Sequence, residues 1–501
     1  MFLIVSLLAN NQGISQAQVV LPEPFAMVTD DLGWVDGSSQ GLDNGPWRIG
    51  FRHRMDEQDY TPFVVIGEAL GIRLQGAFIL AEMDRLNVCA QYPTTTREKE
   101  NWDNSDKISI HQIRSMDYIV KNSAYLEFAL HGVGHEYWPE DGIRKRAEWY
   151  NIQDDHPWPE EEIHGHIQCY KEILAQYGID EKNGHSFPES FVPCAYSYYW
   201  NPSGNPYSLG KILRQNGVKY ANTLLQEVSE LNPPIEEGGG VDNGVLVIDR
   251  HNYDNYWFEP ASLPKKDLSA IKTNFIEAHW ANLIATDDSF QDDLNARWIE
   301  YFKNIQAQPN WYLAKNTEQF NAQWLYKKYT IIQEENPGSV YIDNRAMPQW
   351  AYLHDFVKNM VLKIKNPQNA LVQEATVDGV VIPAFFNDQG YTYFYLPPLE
   401  NKEYTFIYRF GNREQNYSAD LNKATFNLYR IEKKNKKDTR YHVRVYGSQQ
   451  MEIRLDHAPI QVTSSNENLE ITEWKYENGK VIIALSAHDF QGENAEITIT
   501  H

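Results

Sequence analysis

Cysteine is scarce in this chain, with only Cys89, Cys169 and Cys194 among 501 residues. No two of them are spaced as C-x-x-C, which leaves neither a zinc ribbon nor a disulfide framework indicated. Positive charge is also in short supply. There are 45 Lys and Arg against 68 Asp and Glu, a net charge of −23. That balance argues against holding nucleic acid or an anionic membrane by bulk electrostatics. It leaves a metal cation or a neutral substrate unopposed. Long hydrophobic runs are missing too. No segment approaches the roughly 18 continuous apolar residues of a membrane-spanning helix, so no membrane insertion is expected of the mature form. The start, "MFLIVSLLANNQGISQAQVV", holds a short apolar stretch from Phe2 to Ala9 and then small residues. It reads as a signal peptide over residues 1–19 that lacks the usual basic start, and it predicts a secreted or periplasmic protein.

Aromatic residues, by contrast, are plentiful. They make up 13% of the chain, with 14 Trp and 31 Tyr. Such a composition suits both a cleft that stacks on sugar rings and a large core built on β-sheets. Two regions differ in pattern. From about 24 to 333, short apolar runs ("PFAMV", "LQGAFIL", "AYLEFAL", "SFVP", "VKYANT", "GVLVID", "NFIEAHW", "WYLA") alternate with helical segments. The clearest helix is 159–178, with Pro and acids at its start, Ile163, Ile167, Tyr170 and Leu174 on one face, and Gly178 at its end. Strand–helix alternation over this length predicts an α/β fold, a closed or nearly closed β/α barrel spanning 20–345. From 355 to 501 the runs become short β-type segments between turn signals, which predicts an all-β, sandwich-like C-terminal region.

Two motifs carry chemistry. "MVTDDLGW" ends the first apolar run with Asp30 and Asp31 side by side. Adjacent carboxylates repel and are costly to desolvate, so a cation or a proton belongs beside them, unless the pair simply sits in a solvated turn. "EFALHGVGHEYW" places His131 and His135 four residues apart, directly after a strand. On a helix, that spacing would project both imidazoles from one face, usable for one metal ion. In a β/α barrel, functional residues collect at the carboxyl ends of the strands, so both motifs are expected on one rim. One Asp and two His then form a facial triad, with open positions for water and substrate.

The order Asp-Asp after the first strand, His-x-x-x-His after a later one and a late His on a strand resembles the polysaccharide deacetylase (NodB-homology) superfamily. The resemblance covers residues 24–333 and implies an irregular seven-stranded barrel. It implies that Asp30 is the catalytic base, and that Asp31, His131 and His135 bind a divalent metal: zinc first, with cobalt, nickel or iron as other choices. His279 of "FIEAHWANL" falls in the place of the residue that protonates the leaving group. "SFVPCAYSYY" (190–199) is similar to the motif in which a Pro and an aromatic shape the groove, which implies Pro193 and Tyr196 as substrate-binding residues. Trp200 of "YSYYWNPSG" is expected either to stack on a sugar or to pack at the barrel rim, and Trp280, next to His279, is also expected at the substrate. The chain departs from the pattern in four places. Thr29 and Leu32 flank the Asp pair where Phe and Gly are usual. Gly132 replaces the Ser or Thr after the first metal His. Val192 stands where an Arg normally steadies the base, and Asp249 and Arg250 of "VIDRHNY" are the compensating candidates.

The activity so implied is metal-assisted removal of acyl groups from a carbohydrate. Two other readings use the same residues: a glycan-cleaving enzyme with Asp30 and a second carboxylate, and a catalytically silent carbohydrate-binding protein. "GSSQG" (37–41) matches a nucleophile elbow in letters only, since a loop follows it instead of a helix. His164 and His166 read as surface residues of the long helix.

Overall fold

The computed structural model describes residues 19–35, 53–200, 207–228, 238–252, 259–265 and 275–501. The expected signal peptide and the "GSSQG" stretch lie outside these residues, apart from Val19.

The first region is built on a curled, mainly parallel sheet. Its strands are β2 (Glu23–Leu32), β3 (Leu74–Ile79), β4 (Leu126–Gly132), β5 (Ser190–Phe191), β6 (Tyr220–Thr223), β7 (Gly239–Asp242), β8 (Val245–Asp249), β9 (His251–Asn252), β10 (Phe275–His279) and β11 (Trp311–Leu313). The order across the sheet is β7-β8-β6-β5-β4-β3-β2-β10-β9, with β11 pairing the start of β2. Only the β7–β8 hairpin is antiparallel. Parallel strands covered on both faces read as continuous apolar runs, which is how β3 and β4 appear in sequence; every residue of both is buried. One stretch, Val245 to Asn252, pairs through β8 with β6 and two residues later through β9 with β10.

Helices connect the strands: α1 (Thr61–Leu70), α2 (Ile110–Lys121), α3 (Glu160–Ala175), α4 (Leu209–Gln215), α5 (Gln291–Gln306) and α6 (Thr317–Tyr329). Three glutamates in the first turn of α3 complement its dipole, and Ile163, Ile167, Tyr170 and Leu174 face inward as their spacing predicts. Inside the sheet, Phe78 stacks on Phe128 with ring centroids 3.9 Å apart. Among the described residues, no helix is long and apolar enough to cross a membrane.

A change in sheet character falls within the range 20–345 expected of the first region. Helix α6 stops at Tyr329; β12 (Ile331–Asn336) then pairs with β13 (Ser339–Asp343), and β13 pairs in turn with the strand Glu403–Gly411. Alternating burial along β12 and β13 marks a sheet with one wet face, unlike the doubly covered strands before it. The C-terminal region contains many strands, in sheets of eight, five and four. The eight-stranded sheet includes β1 (Val19–Val20), which pairs with β14 (Met360–Lys365), so the chain enters through the C-terminal region before starting the parallel sheet.

Candidate metal centre at the carboxyl end of the parallel sheet

Consecutive residues of a regular strand point to opposite faces. The structure defeats that rule where Asp30 and Asp31 stand. Thr29 pairs with Gly76 and Leu32 with Phe78, so β2 holds one residue more than β3 across this step. Asp31 absorbs the bulge at φ 66°. A bulge re-aims a side chain, and here it turns both carboxylates to one rim. The same device recurs opposite. Phe78 pairs with Leu130 and Ile79 with Gly132, leaving His131 as the extra residue of β4.

Four of the groups expected at this rim, Asp31, His131, His135 and His279, lie close together. His131 Nε2 is 3.2 Å and His135 Nε2 is 3.8 Å from Asp31 Oδ1. One ligand atom from each of these three residues lies within 4.8 Å of the others. His279 Nε2 is 3.8 Å from Asp31 Oδ2. All three members of the triad are buried, His131 at 1% exposure. His131 Nδ1 is 2.6 Å from the carbonyl oxygen of Val192. A carbonyl only accepts, so Nδ1 carries the proton and Nε2 is aimed at Asp31. Burial works against ionising Asp31, but the His131 contact and the His135 and His279 rings outweigh it and hold its carboxyl well below the usual range.

Asp30 is held differently. Arg250 donates to it through both guanidinium arms, Nη1 to Oδ1 at 2.9 Å and Nη2 to Oδ2 at 2.7 Å. Against the pull of burial, Arg250 keeps the Asp30 carboxyl below its ordinary value. Arg250 also lies 3.6 Å through Nε from Glu277 Oε2, and its guanidinium faces the Tyr196 ring at 5.1 Å. Tyr196 donates to Glu277 at 2.7 Å, and His279 Nδ1 is 3.8 Å from the same carboxylate. Asp30, Glu277 and His279 form a second close group, but Arg250 already supplies its cation. The group of Asp56, Glu57 and His111 is more open, and Arg114 lies 3.7 Å from Glu57.

Several expectations need correction. His131 and His135 do not share a helix face: His131 lies in β4, and the residues after Gly132 form bends that place His135 at φ 69°. Asp249 does not reach Asp30; its Oδ1 accepts from the backbone N–H of Leu225 at 2.9 Å. Trp200 and Trp280 are core residues, at 2% and 1% exposure. Trp280 donates to the Asp59 carbonyl and packs edge-on against Trp34 at 5.3 Å, while Trp200 packs against Tyr198 at 6.2 Å. Their size and aromaticity fill the interior instead of lining a groove. Pro193 is buried and caps the short turn that presents half-buried Tyr196. His166 is not a surface residue; it is 1% exposed beside Glu148.

Two carboxylates at the site, Glu277 and Glu148, belong to neither motif of the sequence. Glu277 had a usable signal, because it lies two residues before His279 on one strand and so shares its face. Glu148 had none, since it follows a loop excursion and no local periodicity marks it. Comparison of the chain with protein-family models, with curated proteins and with solved structures finds no match.

Proposed function

We propose that this protein is a secreted or periplasmic, metal-dependent hydrolase of the polysaccharide deacetylase type, removing acyl groups from a carbohydrate. The observation that carries the reading is the convergence of His131 Nε2 and His135 Nε2 on one oxygen of Asp31, at 3.2 and 3.8 Å. With Nδ1 of His131 committed to a carbonyl, its Nε2 lone pair meets a carboxylate unless a cation or a proton lies between. Buried imidazole and carboxylate donors at the mouth of a curled sheet fit zinc or a similar divalent ion. Val245–Asn252 pairs with β6 through β8 and with β10 through β9, and that double pairing supports reading the curled sheet as the irregular barrel of that superfamily.

Asp31, His131 and His135 would hold the ion. When bound, a divalent metal lowers the pKa of water and polarises an acyl oxygen. The chain's own groups divide the proton work. Asp30, ionised and fixed by Arg250, takes a proton from the attacking water. His279, facing Glu277 on one side and Asp31 on the other, delivers one to the departing amine or alcohol. Arg250 would do for Asp30 what the missing Arg at Val192 does in the resembling family, reaching the carboxylate from the break between β8 and β9.

The test has two parts. Metal-free protein is titrated with zinc and cobalt, and acetate release is then followed on acetylated glycans. Asp30→Asn is expected to lower turnover by at least about 10²-fold, the scale of a general base, while retaining the metal. Loss of the ion in that variant would exchange the roles of the two aspartates. Reducing ends appearing without acetate would replace acyl removal by glycosidic cleavage.

A further inference from the structure

The stretch from His131 to His135 has no helix to hold it, yet it must keep two imidazoles aimed at one point. Its backbone N–H groups are gathered by a single side chain far along the loop. Glu148 Oε1 accepts from Val133 N at 2.9 Å, and Oε2 accepts from Gly134 N at 3.2 Å and from His135 N at 2.9 Å. The carboxylate is fully buried, at 0% exposure. Its Oε1 is also 2.8 Å from His166 Nδ1, whose Nε2 is in turn 2.9 Å from the Thr94 hydroxyl. The neighbouring Trp149 donates from Nε1 to the His131 carbonyl at 2.6 Å.

The two glycines of the stretch fit around this anchor. A Cβ on Gly132 would lie 2.3 Å from Glu148 Oε2, and one on Gly134 would lie 1.8 Å from the Thr95 carbonyl oxygen. The departure at Gly132 thus has a physical cause: the carboxylate occupies the space a side chain would need. A buried carboxylate accepting three consecutive amides is expensive to assemble, and it returns a loop with one conformation.

We infer that Glu148 is the positioning residue of the metal centre, fixing the His131–His135 loop before any ion arrives. The inference rests on the metal-centre reading above. Glu148 touches no ligand atom of the triad; it acts through the backbone of His135. Replacing it by Gln leaves one acceptor oxygen and turns an NH₂ group against backbone donors, so the loop loses its enforced shape.

The experiment is a cobalt(II) titration of the metal-free full chain, followed by visible absorption, for the wild type, Glu148→Gln and Asp31→Asn. Wild type is expected to bind, and Asp31→Asn to lose the site. Glu148→Gln should bind about 10- to 100-fold more weakly, the range seen when a ligand's supporting hydrogen bonds are removed, with an altered absorption band. Affinity and spectrum equal to wild type overturn the role of Glu148 and leave the metal centre standing. A wild-type chain that binds no cobalt overturns the metal centre and this role together. If Glu148→Gln does not fold, amide hydrogen exchange of the metal-free wild type decides instead. Protection of Val133, Gly134 and His135 at the level of β4 is expected. Exchange as fast as in an open loop overturns the inference.

Discussion

The parallel sheet buries charge at both of its ends, and the two ends handle it in opposite ways. At the amino end, where the C-terminal region docks, cations of the chain answer the buried carboxylates. Arg444 reaches Glu318 at 2.9 Å and Glu189 at 2.6 Å, and also donates to the Gln491 carbonyl. Lys219 takes the other oxygen of Glu189 at 2.6 Å, and Arg73 lies 3.5 Å from Glu127, which Thr317 also bonds at 2.6 Å. At the carboxyl end, Asp30 has Arg250, whereas Asp31 faces only imidazoles among the described residues. A guanidinium or ammonium is a permanent counter-charge, whereas an imidazole can present a lone pair instead. The amino end is therefore a closed structural seam. At the carboxyl end, no permanent cation among the described residues meets Asp31, and the proposed metal would be that cation.

If the contrast is right, the largest effect belongs to the seam. Arg444→Met leaves Glu318 and Glu189 buried without their shared partner, and is expected to destabilise the fold by about 3–5 kcal/mol. Thermal unfolding monitored by circular dichroism measures this, and cobalt binding at low temperature should persist. A variant with unchanged stability that lost cobalt would erase the distinction between the two ends.

A somewhat smaller effect is expected from pH. Burial opposes ionisation of Glu318, but Arg444, Lys358 and the Tyr429 hydroxyl hold its carboxyl down to about 2 from an ordinary 4.5. A folded value below the unfolded one stabilises the protein above about pH 4.5, and that stability is lost as pH falls towards 2. The loss attributable to this group is on the order of 3 kcal/mol. Urea midpoints measured between pH 5 and 3 should therefore fall more steeply for wild type than for Glu318→Gln; parallel slopes would remove Glu318 from the account.

The smallest of the three is at the rim. Zinc at 100 times its dissociation constant is expected to add about 2.7 kcal/mol by mass action, raising the melting temperature of the wild type and leaving that of Asp31→Asn where it was. An equal rise in both proteins would place the zinc elsewhere.

Much of this arrangement was legible in the linear chain. The buried parallel strands announce themselves as continuous apolar runs, and α3 by its acids and its inward stripe. The pairing of Asp30-Asp31 with His131 and His135 followed from where functional residues collect on such sheets. The failures share a cause. Trp200 and Trp280 were expected at the surface of a groove because aromatic rings suit sugars, but the same rings fill interiors equally well, and composition does not say which way a side chain turns. Asp249 is expected with Arg250 beside Asp30, yet Asp249 ends β8 and accepts from Leu225, and only Arg250, in the break between β8 and β9, turns to Asp30. His166 looked like part of a polar helix face, and only the return of the chain at Glu148 buries it.

The residues by themselves determined the alternation of strand and helix, the change to β structure in the last third, and the chemical types available at the rim. Periodicity and residue chemistry are local properties, and they survive without a fold. Tertiary structure alone decided that two bulges turn Asp31 and His131 towards one point, that Arg250 grips Asp30 from the break between β8 and β9, and that Glu148 gathers the amides of a loop more than a dozen residues away. Each of these depends on register and on contacts between distant segments, which no stretch of the chain encodes on its own.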